Sequence, residues 1–271
     1  MLQKNNHSTK KTKSNIYAIA NQKGGVGKTT TAINLATGLA AVGFEVLIID
    51  FDPQGNASTG LGIENFNRAK NSYSVMLNEC SLSEATYNTK IPGLKIVPAT
   101  VDLLGVEIEL INSDRRSYRL RDNIEKEINS YDFVLIDCPP ALGLLTLNAL
   151  TAANAIIVPL QCEFFALEGL SHLMKTIEIV KQKYNPDLFL DGVVLTMFDK
   201  RNNLSEQVAQ DVRNNLGKKV FNTIIPRNVR ISEAPSHGKP AIIYDYKCSG
   251  SSAYMKLAKE FINRKNINEA A

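Results

Sequence analysis

A glycine-rich segment near the amino terminus carries a lysine at each side of its glycines. It reads Lys23-Gly24-Gly25-Val26-Gly27-Lys28-Thr29-Thr30. Glycines allow the backbone N–H groups to turn toward an anion, and a helix that begins at such a loop adds partial positive charge. By this pattern Lys28 would reach the β- and γ-phosphates of a nucleotide, and the Thr29 hydroxyl would bind Mg²⁺. Gln22 replaces the first glycine of the usual phosphate-loop pattern, and Lys23 follows it directly.

Two apolar runs, Val46–Asp50 and Phe133–Asp137, each end in an aspartate. Continuous apolar runs of this length are typical of buried parallel strands. Ligand sites of open α/β sheets lie beyond the carboxyl ends of such strands, so we expect Asp50, Asp52 and Asp137 near the phosphates. Asp137 would hold Mg²⁺ through a water molecule, because this cation keeps part of its hydration shell. For Asp50 the alternative is a purely structural role, in which it braces the loop that follows.

Strands and helices alternate along the rest of the chain. Strands are expected at 16–20, 46–50, 94–98, 133–137, 155–160 and 192–197, and helices at 31–42, 120–128, 166–184, 204–216 and 253–262. This alternation predicts an α/β fold with a doubly wound, mostly parallel sheet and helices on both faces. We expect one domain over residues 15–271, preceded by a disordered basic tail at residues 1–14.

The glycine-rich segment resembles the deviant Walker A motif of the ParA/MinD ATPases. The likeness continues at residues 159–170 and at residues 225–236, so it covers nearly the whole chain. It implies a P-loop ATPase that uses ATP and Mg²⁺. In that family the first lysine of the motif reaches across a dimer interface to the phosphates held by the other subunit, which implies this role for Lys23.

The resemblance also implies roles for three residues outside the loop. The aspartate in the position of Asp52 orients or activates the attacking water in that family. The late loop of the family approaches the adenine, which implies that Pro226 and Asn228 contact the base. Hydrolysis would be an in-line attack of water on the γ-phosphate, supported mainly by positioning and by positive charge. No arginine finger is evident, so we expect a slow intrinsic rate that a partner raises.

Among members of that family, the chain resembles most the chromosomal partition ATPases. Only about fifteen residues precede the first strand, too few for the helix-turn-helix domain of one plasmid type. The resemblance implies an ATP-induced homodimer that binds DNA without sequence preference. A ParB-type partner would stimulate hydrolysis and so release the dimer from DNA. The expected location is the cytoplasm, in association with the nucleoid.

The distribution of charge supports contact with a polyanion. The chain has a net charge of +4, with 12 basic and 18 acidic residues at 16–180 and 15 basic and 9 acidic residues at 181–271. Lysine and arginine are sufficient to bind DNA through its phosphates. The ordinary alternative is a solvated face. The candidate DNA-binding residues are Arg230, Lys239, Lys247, Lys256 and Lys259, with Lys218 and Lys219 behind them.

Composition limits the other classes of function. No run approaches the roughly 18–20 apolar residues of a membrane span, and no signal-peptide pattern opens the chain. The four cysteines lack metal-type spacing and suit a reducing compartment. Alternatives that stay open are a plasmid partition ATPase, an iron–sulfur carrier, a nucleotide-binding scaffold without turnover, and a MinD-like regulator. The last would hold the membrane with an apolar stripe at 254, 257, 258, 261 and 262.

Overall fold

The computed structural model describes residues 15–269, with the backbone alone at residues 129 and 266–269. The tail expected at residues 1–14 lies outside this range. The strands of the described chain are β1 (Asn15–Ile19), β2 (Val46–Asp50), β3 (Tyr87–Asn88), β4 (Leu94–Val97), β5 (Phe133–Asp137), β6 (Ala155–Gln161) and β7 (Phe189–Thr196). They form one sheet in the order β3-β4-β2-β5-β1-β6-β7. Each neighbouring pair is parallel except β3 with β4.

Helices connect the strands and cover both faces of the sheet. They are α1 (Lys28–Ala41), α2 (Asn56–Gly60), α3 (Ser72–Met76), α4 (Val106–Glu109), α5 (Arg119–Glu127), α6 (Leu144–Ala152), α7 (Ala166–Lys183), α8 (Asn203–Leu216), α9 (Val229–Glu233), α10 (Ala241–Tyr244) and α11 (Ser249–Glu269). One apolar cluster joins the sheet to α3, α5, α6, α7 and α8. The other joins the opposite face to α1, α2 and α11. Apart from the short β3, the strands contribute residues of opposite faces to the two clusters, as the pleat requires.

Two helices on the second face meet at a pair of small residues. Gly38 of α1 lies against Ala258 of α11, and a Cβ added at Gly38 would be 2.8 Å from the Cβ of Ala258. Small residues at a helix contact allow the two backbones to approach closely. The helix that follows the glycine-rich loop is therefore in direct contact with the last helix of the described chain.

The structure agrees with the expected elements and adds several to them. Helix α1 begins at Lys28, three residues before the apolar pattern, because Lys28, Thr29 and Thr30 already form its first turn. Strand β7 begins at Phe189 instead of 192, and α11 extends well beyond the expected 253–262 on both sides. Helix α6 was not expected. Six of its nine residues are apolar and its three polar residues are buried too, so the sequence shows no helical period of exposed and buried positions.

Candidate nucleotide site

The glycine-rich loop leaves β1 in the centre of the sheet and leads into α1. Gly25 and Gly27 have φ angles of 73° and 86°, in the left-handed region that favours glycine. The Nζ of Lys28 donates a hydrogen bond to the carbonyl oxygen of Lys23 at 3.0 Å, so its side chain folds back along the loop. Only 6% of Lys28 is exposed. The loop therefore presents the first N–H groups of α1 and one buried ammonium group to a common space.

A residue at the end of β7 braces this loop. The Thr196 hydroxyl donates to the carbonyl oxygen of Val26 at 2.8 Å, and the bond is buried. The sequence analysis did not identify Thr196 as part of the site. Its position at the carboxyl end of a parallel strand was the available signal, since such ends line ligand sites in open sheets.

Asp137 ends β5 beside both of the other strands that feed the site. It is in register with Ile19 of β1 on one side and with Asp50 of β2 on the other. Asp137 is fully buried, and neither of its carboxylate oxygens has a hydrogen-bond partner of ordinary geometry. Burial raises its pKa well above the ordinary value, and the nearby charge of Asp50 raises it further, whereas the Thr29 hydroxyl and Lys28 oppose the shift.

A buried carboxylate that lacks a hydrogen bond of ordinary geometry is the observation that fits a cation. Unsatisfied buried charge is costly, and Mg²⁺ prefers carboxylate and hydroxyl oxygens together with phosphates. Within residues 15–269 no group of three His, Cys, Asp or Glu side chains could hold a metal unaided. Asp137 and Thr29 are therefore the residues that would hold a magnesium ion beside a bound nucleotide.

Asp50 has the bracing arrangement that was one of its two expected roles. Its carboxylate accepts hydrogen bonds from the Ser58 N–H at 2.8 Å and from the Ser58 hydroxyl at 2.6 Å. It also accepts a longer bond of 3.4 Å from the Asp52 N–H. Burial raises the pKa of Asp50 to about 6, although these bonds act against the shift. Asp50 thus fixes the start of α2 and the turn that carries Asp52.

Asp52 follows β2 and faces the same space as the loop. Its carboxylate accepts a hydrogen bond from the Gln54 N–H at 3.0 Å, which is a local turn that orients the side chain. It is mostly buried, and its charge is close enough to act on the pKa of Lys28 and on that of Asp137. The second carboxylate oxygen is the part of Asp52 that can meet a water molecule.

A cleft of about 540 Å³ joins these residues to the late loop. Pro226 and Asn228, the expected adenine contacts, both line it. The Asn228 side chain is also a helix cap, because its Oδ1 accepts from the Arg230 N–H at 2.8 Å and its Nδ2 donates to the Ser249 hydroxyl at 2.9 Å. Lining residues that were not predicted as site residues are Gln54, Asn56, Pro140, Thr196, Met197, Ile225, Arg227, Ile231, Ser232, Pro235 and Tyr254.

The two lysines of the loop have opposite environments. Whereas Lys28 is buried, the side chain of Lys23 is 43% exposed and its Nζ pairs with the carboxylate of Glu163. Glu163 lies just beyond the end of β6 and also contacts the Gln161 amide. Lys23 is therefore outside the cleft of its own subunit, on the rim of the site.

Four of the basic candidates for DNA contact form two groups of neighbouring residues, and the other three lie apart from both groups. Lys256 and Lys259 lie on the exposed face of α11, beside one another along a shallow groove. Arg230 pairs with Glu233 at 2.9 Å and with Asp245 at 3.6 Å. Asp245 also accepts from the Lys247 N–H at 3.1 Å, which places Lys247 near Arg230. Lys239, Lys218 and Lys219 are exposed, and no described contact joins them to either group.

A second cleft, which shares Pro226 and Arg227 with the nucleotide cleft, adds basic residues that were not expected. Lys200, Arg201 and Arg227 line it together with Lys256, which was already a candidate for DNA contact. Arg201 is bonded to Asp199 at 2.7 Å, so part of this charge is balanced locally. The sequence signal for this group is the excess of basic residues after residue 180.

The alternatives can be compared with the same structure. Four of the five residues of the apolar stripe in α11 (254, 257, 258 and 261) are buried in the cluster with α1, so they form core contacts. Cys138 and Cys162 are also buried. Within residues 15–269 we find no helix with the length and apolar content needed to cross a bilayer.

Comparison with known proteins decides the family. A family model described as an AAA domain matches residues 14–190. The chain is 60% identical over 257 residues to the chromosome partitioning protein ParA of Caulobacter vibrioides, a match that covers 94% of this chain and 96% of that protein. The sporulation initiation inhibitor protein Soj of Bacillus subtilis is 49% identical over 245 residues, which cover 90% of this chain and 97% of Soj. The chain belongs to the ParA/Soj family of chromosome-partitioning ATPases.

A solved structure extends this ParA/Soj likeness to the fold. The cobyrinic acid a,c-diamide synthase of Mycobacterium smegmatis, crystallised with an ATP analogue and magnesium, superimposes with a TM-score of 0.82. It is 37% identical, over 91% of this chain and 93% of that chain. The name of that protein denotes a different reaction, and the higher identity to the partitioning proteins decides the family here. The predicted ParA-type resemblance and the predicted P-loop fold are both confirmed.

A prediction follows for Asp137, the aspartate expected to bind magnesium in this ParA/Soj-type site. Folding raises the pKa of Asp137 above 3.8, so the folded protein holds a proton that the unfolded chain releases, and stability declines as the pH rises above about 4. Asn has no carboxyl group to titrate, so replacing Asp137 with Asn removes this loss of stability at higher pH. We expect Asp137→Asn to melt at a higher temperature than the wild type at pH 7.5, with a difference that shrinks toward pH 5, as measured by differential scanning fluorimetry.

The same substitution should remove the response to magnesium. Addition of Mg²⁺ with ADP should raise the melting temperature of the wild type more than that of Asp137→Asn. A variant that melts below the wild type at pH 7.5 in the absence of ligand would contradict the assignment of an unbalanced carboxylate.

Proposed function

We propose that this chain is an ATP-driven switch for DNA partition, in which ATP and Mg²⁺ join two subunits. The observation that carries the proposal is the placement of the two loop lysines, one buried beside Asp137 and one exposed on the rim. Lys28 serves the nucleotide of its own subunit. Lys23 lies outside that cleft, where it can reach a triphosphate bound by a second copy. One nucleotide then receives positive charge from both subunits.

The release of Lys23 from Glu163 is inexpensive. Both side chains of this ion pair are more than 40% exposed. Exposed pairs contribute about 0–1 kcal/mol, so the exchange of Glu163 for a triphosphate, which carries several negative charges, is favourable. Lys23 therefore contacts Glu163 in the single subunit and phosphate in the dimer.

Hydrolysis follows from the positions of Asp52 and Lys28. The free oxygen of Asp52 orients a water molecule for attack in line with the γ-phosphate, and Lys28 balances the charge that builds on the phosphate oxygens. Asp137 and Thr29 hold Mg²⁺, which neutralises phosphate charge when bound. In such sites most of the rate acceleration comes from positioning. Among the described residues, no strong general base lies beside Asp52 to activate the water. The basal turnover is accordingly slow.

DNA contact uses phosphate charges and carries no sequence preference. The basic residues of α11, the neighbourhood of Arg230 and Lys247, and the second cleft all present cations on the described surface. A dimer presents two such sets at once, so the ATP-bound dimer binds DNA more strongly than one subunit. A ParB-type partner raises the hydrolysis rate, and the subunits then leave the nucleoid.

The test of this proposal is Lys23→Gln. The variant should bind ATP as the wild type does, because Lys28, Thr29 and Asp137 are unchanged. It should stay monomeric with ATP in size-exclusion chromatography, since the cross-subunit charge is lost. In gel shifts the wild type should bind DNA of any sequence with ATP and poorly without it, and Lys23→Gln should bind poorly in both conditions.

A control and a contrary result complete this test. Lys175→Gln removes a lysine of α7 that has no described contact with the site, and it should leave the dimer intact. An ATP-dependent dimer of Lys23→Gln with normal elution would show that Lys23 is not the cross-subunit lysine. Equal binding of wild-type protein to DNA with and without ATP would contradict the proposal that ATP controls DNA binding.

A further inference from the structure

The segment between β4 and α5 has exposed apolar side chains with acidic side chains between them. Val101, Leu104, Ile108 and Ile111 expose between 62% and 75% of their surface. The segment 101–114 contains four acids and no basic residue. Arg115 and Arg116 follow it, and Arg115 pairs with Asp122 at 2.8 Å. Three of the four acids, Asp102, Glu107 and Glu109, alternate with the apolar side chains, and Asp114 follows. We call these eight residues the acidic–apolar face.

The exposure of this face is a property of a firmly packed segment. Leu103, Val106 and Leu110 alternate with the exposed residues and are buried in the core. Glu109 accepts a hydrogen bond from the Tyr73 hydroxyl at 2.7 Å, which ties α4 to α3. An apolar surface that is held in place and edged by charge is typical of a protein interaction site.

This face is connected to the nucleotide site by one carboxylate. Glu107 accepts a hydrogen bond from the Leu144 N–H, at the start of α6, at 2.7 Å. It also lies against Gly143, where an added Cβ would be within 2.5 Å of the Glu107 carboxylate. Residues 138–143 form the loop that directly follows Asp137, and Pro140 of this loop lines the nucleotide cleft. Movement of α4 would therefore shift the loop between Asp137 and α6.

We propose that the acidic–apolar face binds a basic amphipathic segment of the partner that accelerates hydrolysis. This inference rests on the proposed function, which requires such a partner. Aliphatic side chains of the segment pack on Leu104, Ile108 and Ile111, and its lysines or arginines meet the four acids. Binding of the segment then affects the nucleotide site through Glu107 and the loop that follows Asp137.

Charge favours this occupant over a second copy of the chain. A two-fold contact through this face would bring four acids of one subunit against four acids of the other, and like charges across an interface are costly. DNA is disfavoured for the same reason. A basic segment relieves the repulsion among the acids and covers the apolar residues at the same time.

Two double variants test the proposal with purified protein. Ile108→Ser/Ile111→Ser removes apolar area, and Asp102→Lys/Asp114→Lys reverses charge. All four side chains are exposed, so both variants should fold and keep the ATPase rate seen with ATP and DNA alone. The probe is the full-length ParB-type protein of the same cell. We expect its stimulation of phosphate release, and its affinity measured by biolayer interferometry, to fall about fivefold or more.

The control is Asp187→Lys/Phe189→Ser. It makes the same chemical changes at exposed residues near the start of β7, the end of the strand away from the nucleotide site, and should respond to the probe as the wild type does. The wild-type affinity should also fall with added salt, and Asp102→Lys/Asp114→Lys should weaken that dependence.

The outcomes separate this inference from the proposed function. If the ParB-type protein accelerates the wild type and both variants equally, the acidic–apolar face is not its binding site and the inference is wrong. If the variants lose their ATP-dependent dimer in size-exclusion chromatography, the face is a contact between copies, which also overturns it. If the wild type itself is not accelerated, the proposed partner fails, and the inference that depends on it fails too.

Discussion

Asp52→Ala should bind ATP and form a dimer that stays on DNA, while its rate of hydrolysis falls about 100-fold or more. The residue contributes no phosphate contact in the arrangement described above, so binding and dimerisation should persist. Its loss removes the oxygen that orients the attacking water. The measurement is phosphate release with DNA present, followed by the dissociation rate of the protein from immobilised DNA.

Asp52→Asn separates the charge of this residue from its structural bond. The Asn side chain can still accept a hydrogen bond from the Gln54 N–H, so the turn after β2 is retained. We expect Asp52→Asn to lose nearly as much activity as Asp52→Ala, because an amide is a poor acceptor for the proton of water. A wild-type rate of hydrolysis in Asp52→Ala would show that Asp52 does not orient the attacking water. A wild-type rate in Asp52→Asn alone would show that Asp52 acts only by holding the turn after β2.

Lys28→Ala should abolish ATP binding, with an affinity at least about 100-fold below that of the wild type. Burial lowers the pKa of Lys28, while Asp137, Cys138 and Asp52 act in the opposite direction. Triphosphate would add further negative charge beside this ammonium group and so favour its charged form. Titration with a fluorescent ATP analogue in the presence of Mg²⁺ measures the loss.

Lys23→Gln is the matched comparison for Lys28→Ala. It removes one positive charge from the same loop, yet it should keep the affinity for nucleotide, because its lysine lies on the rim. Circular dichroism should show that both variants are folded. Equal loss of ATP affinity in the two variants would mean that the loop acts through its total charge and not through one buried lysine.

The core of the site was predictable because its signals are local. A strand, a glycine-rich turn and the first helical turn occur in sequence, so the placement of Lys28 and Thr29 followed directly. Asp50 and Asp137 were expected at the same edge because both end apolar runs. Their register as direct neighbours depends on the order of strands in the sheet, which no local pattern states.

Other parts of the molecule depend on contacts between distant segments. The pair of Lys23 with Glu163 joins residues 140 positions apart. Thr196 supports the loop from a strand far along the chain, and its type gives no hint of this. Helix α6 escaped prediction because a buried helix has no polar face. Helices α2, α3, α4, α9 and α10 are too short to show a period.

The close packing of Gly38 against Ala258 has a mechanical consequence. Where these two small residues meet, no flexible side chain separates α1 from α11, so rotation of a side chain cannot absorb a tilt of either helix at that point. We therefore expect a small reorientation of α1, when its amino end captures an anion, to be passed on to α11. The cations displayed by the last helix would then shift relative to the rest of the surface in response to an event at the opposite end of its neighbour.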